Sequence, residues 1–482
     1  MASQSLKDKT VKGVFWSAID TIASQGVTFM VGIVLARLLS PDEYGLIGII
    51  TIFISIFNVF INSGFNAALI RKQNTTEADY NTVFYYNLIT SILLFICFWM
   101  AAPYIANFFK RDELLSLCRV MGCILIINAF SIIQATILTK KIDFKKQTKV
   151  SMISSISSGI IGIGMAIEGF GVWSIVGQQI SRQGLYSLFL WIYSDWRPKL
   201  IFSKNSFYEL WNFGSKLLCS SLINALWNEV YQIVIGKYYT PAALGQYTRA
   251  SQFGGIFSVN LTNVVQRVSY PVLSNLQGDV DRMKDAYRRI IKQTMFVSFF
   301  CMFQLAAFSK TLIIILIGDS WTDCIYYLQI ISFTLMFHPL HALNLNMLQV
   351  QGRSDLFLKI EIYKKMVGVI PICMGIFINI YAMLIGSVFA GLFALYLNAY
   401  YSGPLLNYSL AKQLKDIIPS FSLSLILAVP IYFLSFLNIN CIYVFILQIL
   451  ITLILGYSVM ETIKFPEYLE IKQTILKRFT IC

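Results

Sequence analysis

Apolar runs of about 20 residues or more follow one another from residue 13 to residue 460, joined by short polar stretches. Only α-helices and closed barrels can cross lipid, because each backbone N–H and C=O there needs a partner within the chain. Barrel strands are far shorter, about 9–11 residues. The expected fold class is therefore an all-α polytopic membrane protein. Charged residues make up 13% of the chain, against about 25% in a soluble domain. No stretch between the runs is long enough to build a soluble domain.

Fourteen spans are predicted, near 13–39, 43–70, 80–108, 114–139, 148–168, 170–194, 208–238, 242–273, 286–310, 323–350, 356–379, 381–403, 417–436 and 440–460. Lysine and arginine orient them, since cytoplasmic loops carry the excess. Alternate joints hold 26 basic residues, and the opposite joints hold five: Arg37, Lys110, Arg111, Lys237 and Lys310. Both termini are therefore expected in the cytoplasm. This bias accounts for most of the +14 net charge without a nucleic-acid partner. The nine cysteines fall mostly inside apolar runs and form no C-x-x-C pair, so they read as packing residues. The first run is too long for a cleaved signal and lacks a small-residue cleavage site, so it is expected to remain as a helix.

A short signal recurs 200 positions apart. Arg37, Ser40, Pro41 and Gly45 return as Lys237, Thr240, Pro241 and Gly245. The same offset carries the polar stripe Asn58, Asn62, Asn66 onto Ser258, Thr262, Gln266. Six crossings separate the copies, so the two halves share one orientation, as in transporters built from parallel repeats. The expected division is a six-helix bundle over 1–204, a second over 205–405, and two further helices with a cytoplasmic tail over 406–482.

With this architecture, FGVWSIVGQQ at 170–179, PAALGQYTRASQF at 241–253, YPVLSNLQGD at 270–279 and QGRSDLFLK at 351–359 resemble the multidrug/oligosaccharidyl-lipid/polysaccharide exporter superfamily. Within it they are similar to polysaccharide flippases of the Wzx type, in the subfamily of the colanic acid and teichuronic acid exporters. The resemblance covers about residues 8–430. It implies a carrier in the bacterial cytoplasmic (inner) membrane that flips polyprenyl-diphosphate-linked oligosaccharide by alternating access. The implied partners are that lipid-linked oligosaccharide, the bilayer, and the polysaccharide polymerase and chain-length machinery. No organic cofactor is implied. The energy source is left open between proton and sodium coupling.

Such a cargo needs cations for its diphosphate and amides or hydroxyls for its sugars. Arg182, mid-span beside Gln178, Gln179 and Gln183, either lines the cavity or makes an interhelical pair. Arg267, beside Asn263 and Gln266, contacts a headgroup or snorkels. With Asn58, Asn62, Asn66, Thr262 and Lys216, these complete the expected cavity set. The repeat sets Lys216 one turn from the counterpart of Asp20. The two form a gating pair, Asp20 binds the coupling ion, or both are static. Glu229 is an ion site or the partner of a cavity arginine. Arg119 and Arg249 read as gating or snorkelling residues, and Glu361 with Lys364 and Lys365 as local pairing near the cytoplasmic surface. His338 and His341 flank Pro339 and read as hydrogen-bonded residues at a kink rather than a metal site. The small residues from Ser151 to Gly164 read as a close-packing face.

Rival classes are an ion-coupled drug or lipid II exporter of the same fold, and a membrane glycosyltransferase or polymerase. An enzyme would be expected to carry a large outer loop with acids, whereas the single Asp-x-Asp, Asp279-Val280-Asp281, falls in a short charged cytoplasmic joint. The Walker lysine motif is missing, so ATP is not the expected energy source.

Overall fold

The computed structural model describes residues 23–62 and 64–479, which form α-helices joined by short turns, with no strand among them. The chain divides into two compact units, Met1–Gly245 and Gln246–Cys482.

The first unit runs α1 (Ala23–Leu38), α2 (Pro41–Asn62), α3 (Phe65–Arg71), α4 (Glu77–Phe109), α5 (Glu113–Met121), α6 (Cys123–Lys140), α7 (Phe144–Ile167), α8 (Val172–Tyr193) and α9 (Lys204–Tyr238). Helix α10 (Pro241–Ser274) carries the chain across the boundary. The second unit continues with α11 (Val280–Ile317), α12 (Thr322–Leu335), α13 (His338–Val350), α14 (Ser354–Phe377), α15 (Ile380–Ser402), α16 (Leu410–Leu434), α17 (Cys441–Thr462) and α18 (Pro466–Phe479). Among the described residues, eight stretches are long and apolar enough to cross a membrane: Pro41–Arg71, Glu77–Phe109, Glu113–Lys140, Phe144–Ile167, Val280–Ile317, Ile380–Leu406, Leu410–Leu434 and Cys441–Thr462.

Polar side chains at the joints start the helices by supplying acceptors to free backbone N–H groups. Thr76 and Asp79 cap α4 reciprocally, Asp143 caps α7, Asp279 caps α11 and Asn379 caps α15. The repeated Ser/Thr-Pro signal works in the same way. Ser40 Oγ accepts from Glu43 N at 3.4 Å, Glu43 returns a bond to Ser40 N at 2.7 Å, and Pro41 opens α2 with its fixed φ. Thr240 Oγ1 accepts from Ala243 N at 3.2 Å ahead of Pro241.

Three expected spans are each two helices. The 43–70 span breaks at Gly64, whose φ of 70° is left-handed and whose missing Cβ makes room for the Gly214 carbonyl. The 114–139 span breaks at Gly122, and the 323–350 span breaks at Met336 and Phe337. The last break follows from Pro339, which has no N–H for the Leu335 carbonyl. Ser258 Oγ donates to that carbonyl at 2.8 Å, and Ser298 Oγ donates to the Met336 carbonyl at 2.7 Å.

In the first unit α7 packs on α8, α6 on α4 and α8, and α9 on α2, α3 and α4. The small face of α7 permits this closeness: Gly162 lies against Gln178 of α8, and Gly159 against Val31 of α1. An aromatic core around Phe65, Phe84, Ile133 and Leu210 joins α3, α4, α6 and α9. In the second unit α16 lies along α11, and α14 along α15. Many large apolar side chains remain on the outside, among them Phe377 at 82% exposure and Met366 at 65%. Water would penalise such a surface, and lipid tails do not.

Candidate functional site

A line of side-chain amides runs through the first unit. Asn128 of α6 is its centre: Nδ2 donates to Asn58 Oδ1 at 2.7 Å, while its Oδ1 accepts from Gln183 Nε2 at 3.0 Å. Gln183 also donates to Ser131 Oγ at 3.3 Å. Asn62 donates to the Asn58 carbonyl at 2.8 Å, Asn66 donates to Asn62 Oδ1 at 3.0 Å, and Thr136 Oγ1 reaches Asn66 Oδ1 at 3.4 Å. Asn58, Asn62, Asn66, Asn128 and Gln183 are all half-buried. The expected stripe is thus one side of a network joining α2, α3, α6 and α8, with Asn66 on α3 beyond the Gly64 break rather than on one continuous helix.

Arg182 stands next in sequence to Gln183, midway along α8. It is half-buried, and its one electrostatic neighbour among the described residues is Tyr186, one turn on. It makes no ion pair among the described residues, so the interhelical pair considered for it is not seen among them. A charge held at mid-helix depth without a counter-ion is costly to keep in lipid. A guanidinium fork matches a phosphate, and amides that both donate and accept match sugar hydroxyls.

Glu229 of α9 is held to α2. Ser55 Oγ donates to its Oε1 at 3.1 Å, and Gln232 Nε2 donates to its Oε2 at 2.6 Å. No cation pairs with it among the described residues, so it is not the partner of an arginine here. Lys216 is exposed on α9. Asp20 lies outside the described residues, and so does the gating pair expected between it and Lys216.

In the second unit Thr262 bonds within its own helix, to the Ser258 carbonyl at 2.7 Å. Gln266 is half-buried, and Asn263 and Arg267 are exposed on α10. Lys364 pairs with Glu361 at 2.6 Å. The pair stands well inside α14, Lys364 being ten residues beyond Ser354, or about 15 Å along the axis.

Sequence reasoning missed a buried hub in this unit. Asn344 Oδ1 accepts from Tyr287 at 3.1 Å, Ser402 at 2.5 Å and Gln413 at 3.2 Å, tying α11, α13, α15 and α16 together. Beside it, Tyr408 donates to Asp416 Oδ2 at 2.7 Å, and Arg288 grips both oxygens of Asp416 at 2.5 and 2.6 Å. Asn128 was missed too. The signal was there, since a polar amide inside an apolar run demands a partner, but its partner is 70 residues away.

At the joint between α3 and α4, Lys72 bonds Glu209 at 2.8 Å and Asp79 at 3.1 Å. The Glu209 bond holds the Lys72 ammonium above its ordinary pKa, opposed by burial. Lys140 closes the end of α3, donating to the Leu69 carbonyl at 3.2 Å and to Thr75 Oγ1 at 2.8 Å.

The fold is that of a known transporter group. The structure of the lipid II flippase MurJ in its inward closed conformation matches with a TM-score of 0.75 at 18% identity, covering 95% of this chain and all of that one. An inward-facing multidrug transporter of the MATE family matches at 0.62 and 16%, covering 82% of this chain and 98% of that one. By sequence, the chain is 25% identical to the teichuronic acid biosynthesis protein TuaB of Bacillus subtilis over 73% of each. It is 21% identical to the lipopolysaccharide biosynthesis protein WzxC of Escherichia coli, over 77% of this chain and 76% of that one. The family model described as polysaccharide biosynthesis protein matches residues 34–326, more than half of the chain. This multi-pass membrane protein therefore belongs to the polysaccharide biosynthesis protein family.

Proposed function

We propose that the chain moves a polyprenyl-diphosphate-linked oligosaccharide across the bacterial cytoplasmic membrane by alternating access, for assembly of a surface polysaccharide. The observation that carries this is Arg182, a cation with no counter-ion among the described residues, on the helix whose Gln183 joins the amide line of Asn58 and Asn128. Family membership and relatives named for teichuronic acid and lipopolysaccharide biosynthesis support the same cargo class.

In this reading Arg182 in the first unit and Arg267 in the second each serve as phosphate contacts, and the amides of each unit's polar stripe serve as sugar contacts. The Ser55–Glu229 bond is the gate between α2 and α9, broken when the helices part. Lys216 meets the cargo at the mouth. The chain crosses the membrane fourteen times with both ends inside. The α2–α3, α5–α6 and α12–α13 pairs count as one crossing each. The bundles run over 1–204 and 205–405, and α16 and α17 are the addition. A proton or sodium gradient supplies the energy, and the polymerase and chain-length machinery take up the delivered unit. A cavity rich in cations disfavours the cationic-drug reading.

The test is a deletion strain complemented with Arg182→Ala and with Arg267→Ala. Loss of surface glycan, with lipid-linked oligosaccharide accumulating on the cytoplasmic side, supports the flippase. Normal glycan with both variants removes these residues from the cavity. A strain in which the repeat unit is never made points instead to an enzyme.

A further inference from the structure

The chain has only two histidines, and both stand at the break between α12 and α13. Their rings are 6.4 Å apart. His338 is exposed and His341 half-buried. The break frees two carbonyls that Ser258 and Ser298 satisfy, so the backbone there is open yet held. We propose that this break is a proton-binding site, with the proton taken up on His341 Nδ1, Asn398 following the protonation state, and Lys364 driving release. Its coupling to transport rests on the reading of the chain as a gradient-driven carrier.

The Asn398 side chain carries the inference. Its Nδ2 stands 3.0 Å from His341 Nδ1. Its Oδ1 is buried and has no partner among the described residues, in a residue that is 0% exposed. An amide nitrogen facing Nδ1 serves a ring whose Nδ1 is bare. A proton arriving on the Nδ1 lone pair turns that atom into a donor. A half-turn of the amide then brings Oδ1 round to accept from it. The same pair is thus hydrogen-bonded in both protonation states, and only a side-chain rotation separates them.

The charge that opposes the proton comes from α14. That helix packs on α13 and carries the ion pair of Lys364 with Glu361, 2.6 Å apart. Lys365 stands beside it on the same helix. The other elements contribute little charge here. Helix α15 holds no Asp, Glu, Lys or Arg, and its titratable groups are the tyrosines. Between Lys292 and Lys310, α11 offers only Cys301. The acid of α12, Asp323, is in its first turn, and the arginines of α10, Arg249 and Arg267, lie towards its two ends. When Glu361 neutralises Lys364 the pair can hold a proton, and when that ion pair opens the proton is expelled.

The full-length chain in lipid nanodiscs, labelled with nitrogen-15 at histidine, reports each ring separately. The expected result is one titrating Nδ1 whose midpoint rises by about one pH unit, a tenfold change in proton affinity, in Lys364→Gln and stays in place in Lys364→Arg. A midpoint that does not respond to Lys364→Gln overturns the proposal. In proteoliposomes carrying lipid-linked oligosaccharide, a pH gradient accelerates transport by the natural chain. In His341→Gln the ratio of transport with and without the gradient falls to one, and an unchanged ratio overturns the coupling. If the natural chain moves no lipid-linked oligosaccharide at all, the functional reading fails, while the titration still decides the proton site.

Discussion

Gly45 rests on the carbonyl oxygen of Pro241, and Gly245 rests in the same way on the carbonyl oxygen of Pro41. The repeated signal is therefore a reciprocal contact: each copy caps and opens its own helix, then gives up a side chain so that the other can approach. A Cβ at either glycine would collide with backbone, which cannot swing aside. Gly45→Ala and Gly245→Ala are each expected to cost about 1–3 kcal/mol through overpacking. Gly164→Ala, which meets nothing within 4 Å, is the control. Thermal unfolding in detergent separates them, and equal midpoints for all three would refute the contact.

Asn128 is predicted to matter more for transport than for folding. Asn128→Ala strands Asn58 Oδ1 and leaves the Gln183 amide only its longer bond to Ser131. Interhelical hydrogen bonds in membranes average about 0.6 kcal/mol, so the chain should still accumulate at a near-normal level. Glycan export in the complemented deletion strain should fall steeply. Full export at normal protein levels would show the amide line to be scaffold alone.

How much of this the residues disclosed depends on range. The helices were legible because lipid leaves few alternatives, and the caps at Ser40, Thr76 and Asn379 mark their starts. The breaks at Gly64 and Gly122 were not, since a glycine inside an apolar run is compatible with an unbroken helix. The stripe Asn58–Asn62–Asn66 was legible as a helical spacing. Its partners Asn128 and Gln183 were not, because no local pattern says which distant amide meets which. Arg182 stood out because a lone cation in an apolar run is costly wherever it lies.

Arg288 and Asp416 fasten α16 to α11. Asp416 is 9% exposed, so Arg288→Ala leaves a buried carboxylate with only Tyr408 to serve it. The expected loss is up to about 3 kcal/mol, moderated because Arg288 itself is half exposed. Arg288→Met with Asp416→Leu should recover much of it. A double variant no more stable than Arg288→Ala would contradict this account.

Lys72 gives a prediction in pH. Its folded pKa is raised by the Glu209 bond, so its contribution to stability is complete below the ordinary value of 10.5 and is lost as pH climbs through the folded value. The difference in melting temperature between the natural chain and Lys72→Met should stay constant across neutral pH and shrink only in strong alkali. A difference that disappears already near neutrality would contradict the assignment.

The central claim is that Arg182 of α8 binds the phosphate of a lipid-linked cargo. Arg182 has no counter-ion among the described residues, so replacing it removes no ion pair seen there. The most direct measurement follows the leaflet position of lipid-linked oligosaccharide in proteoliposomes holding the natural chain, Arg182→Ala or Arg182→Lys. The account predicts transfer to the opposite leaflet by the natural chain. It predicts transfer slowed by about a hundredfold in Arg182→Ala, the loss of one bidentate charged contact of about 2–3 kcal/mol, with unchanged melting temperature and partial rescue by Arg182→Lys. Transfer by Arg182→Ala at the natural rate would contradict it.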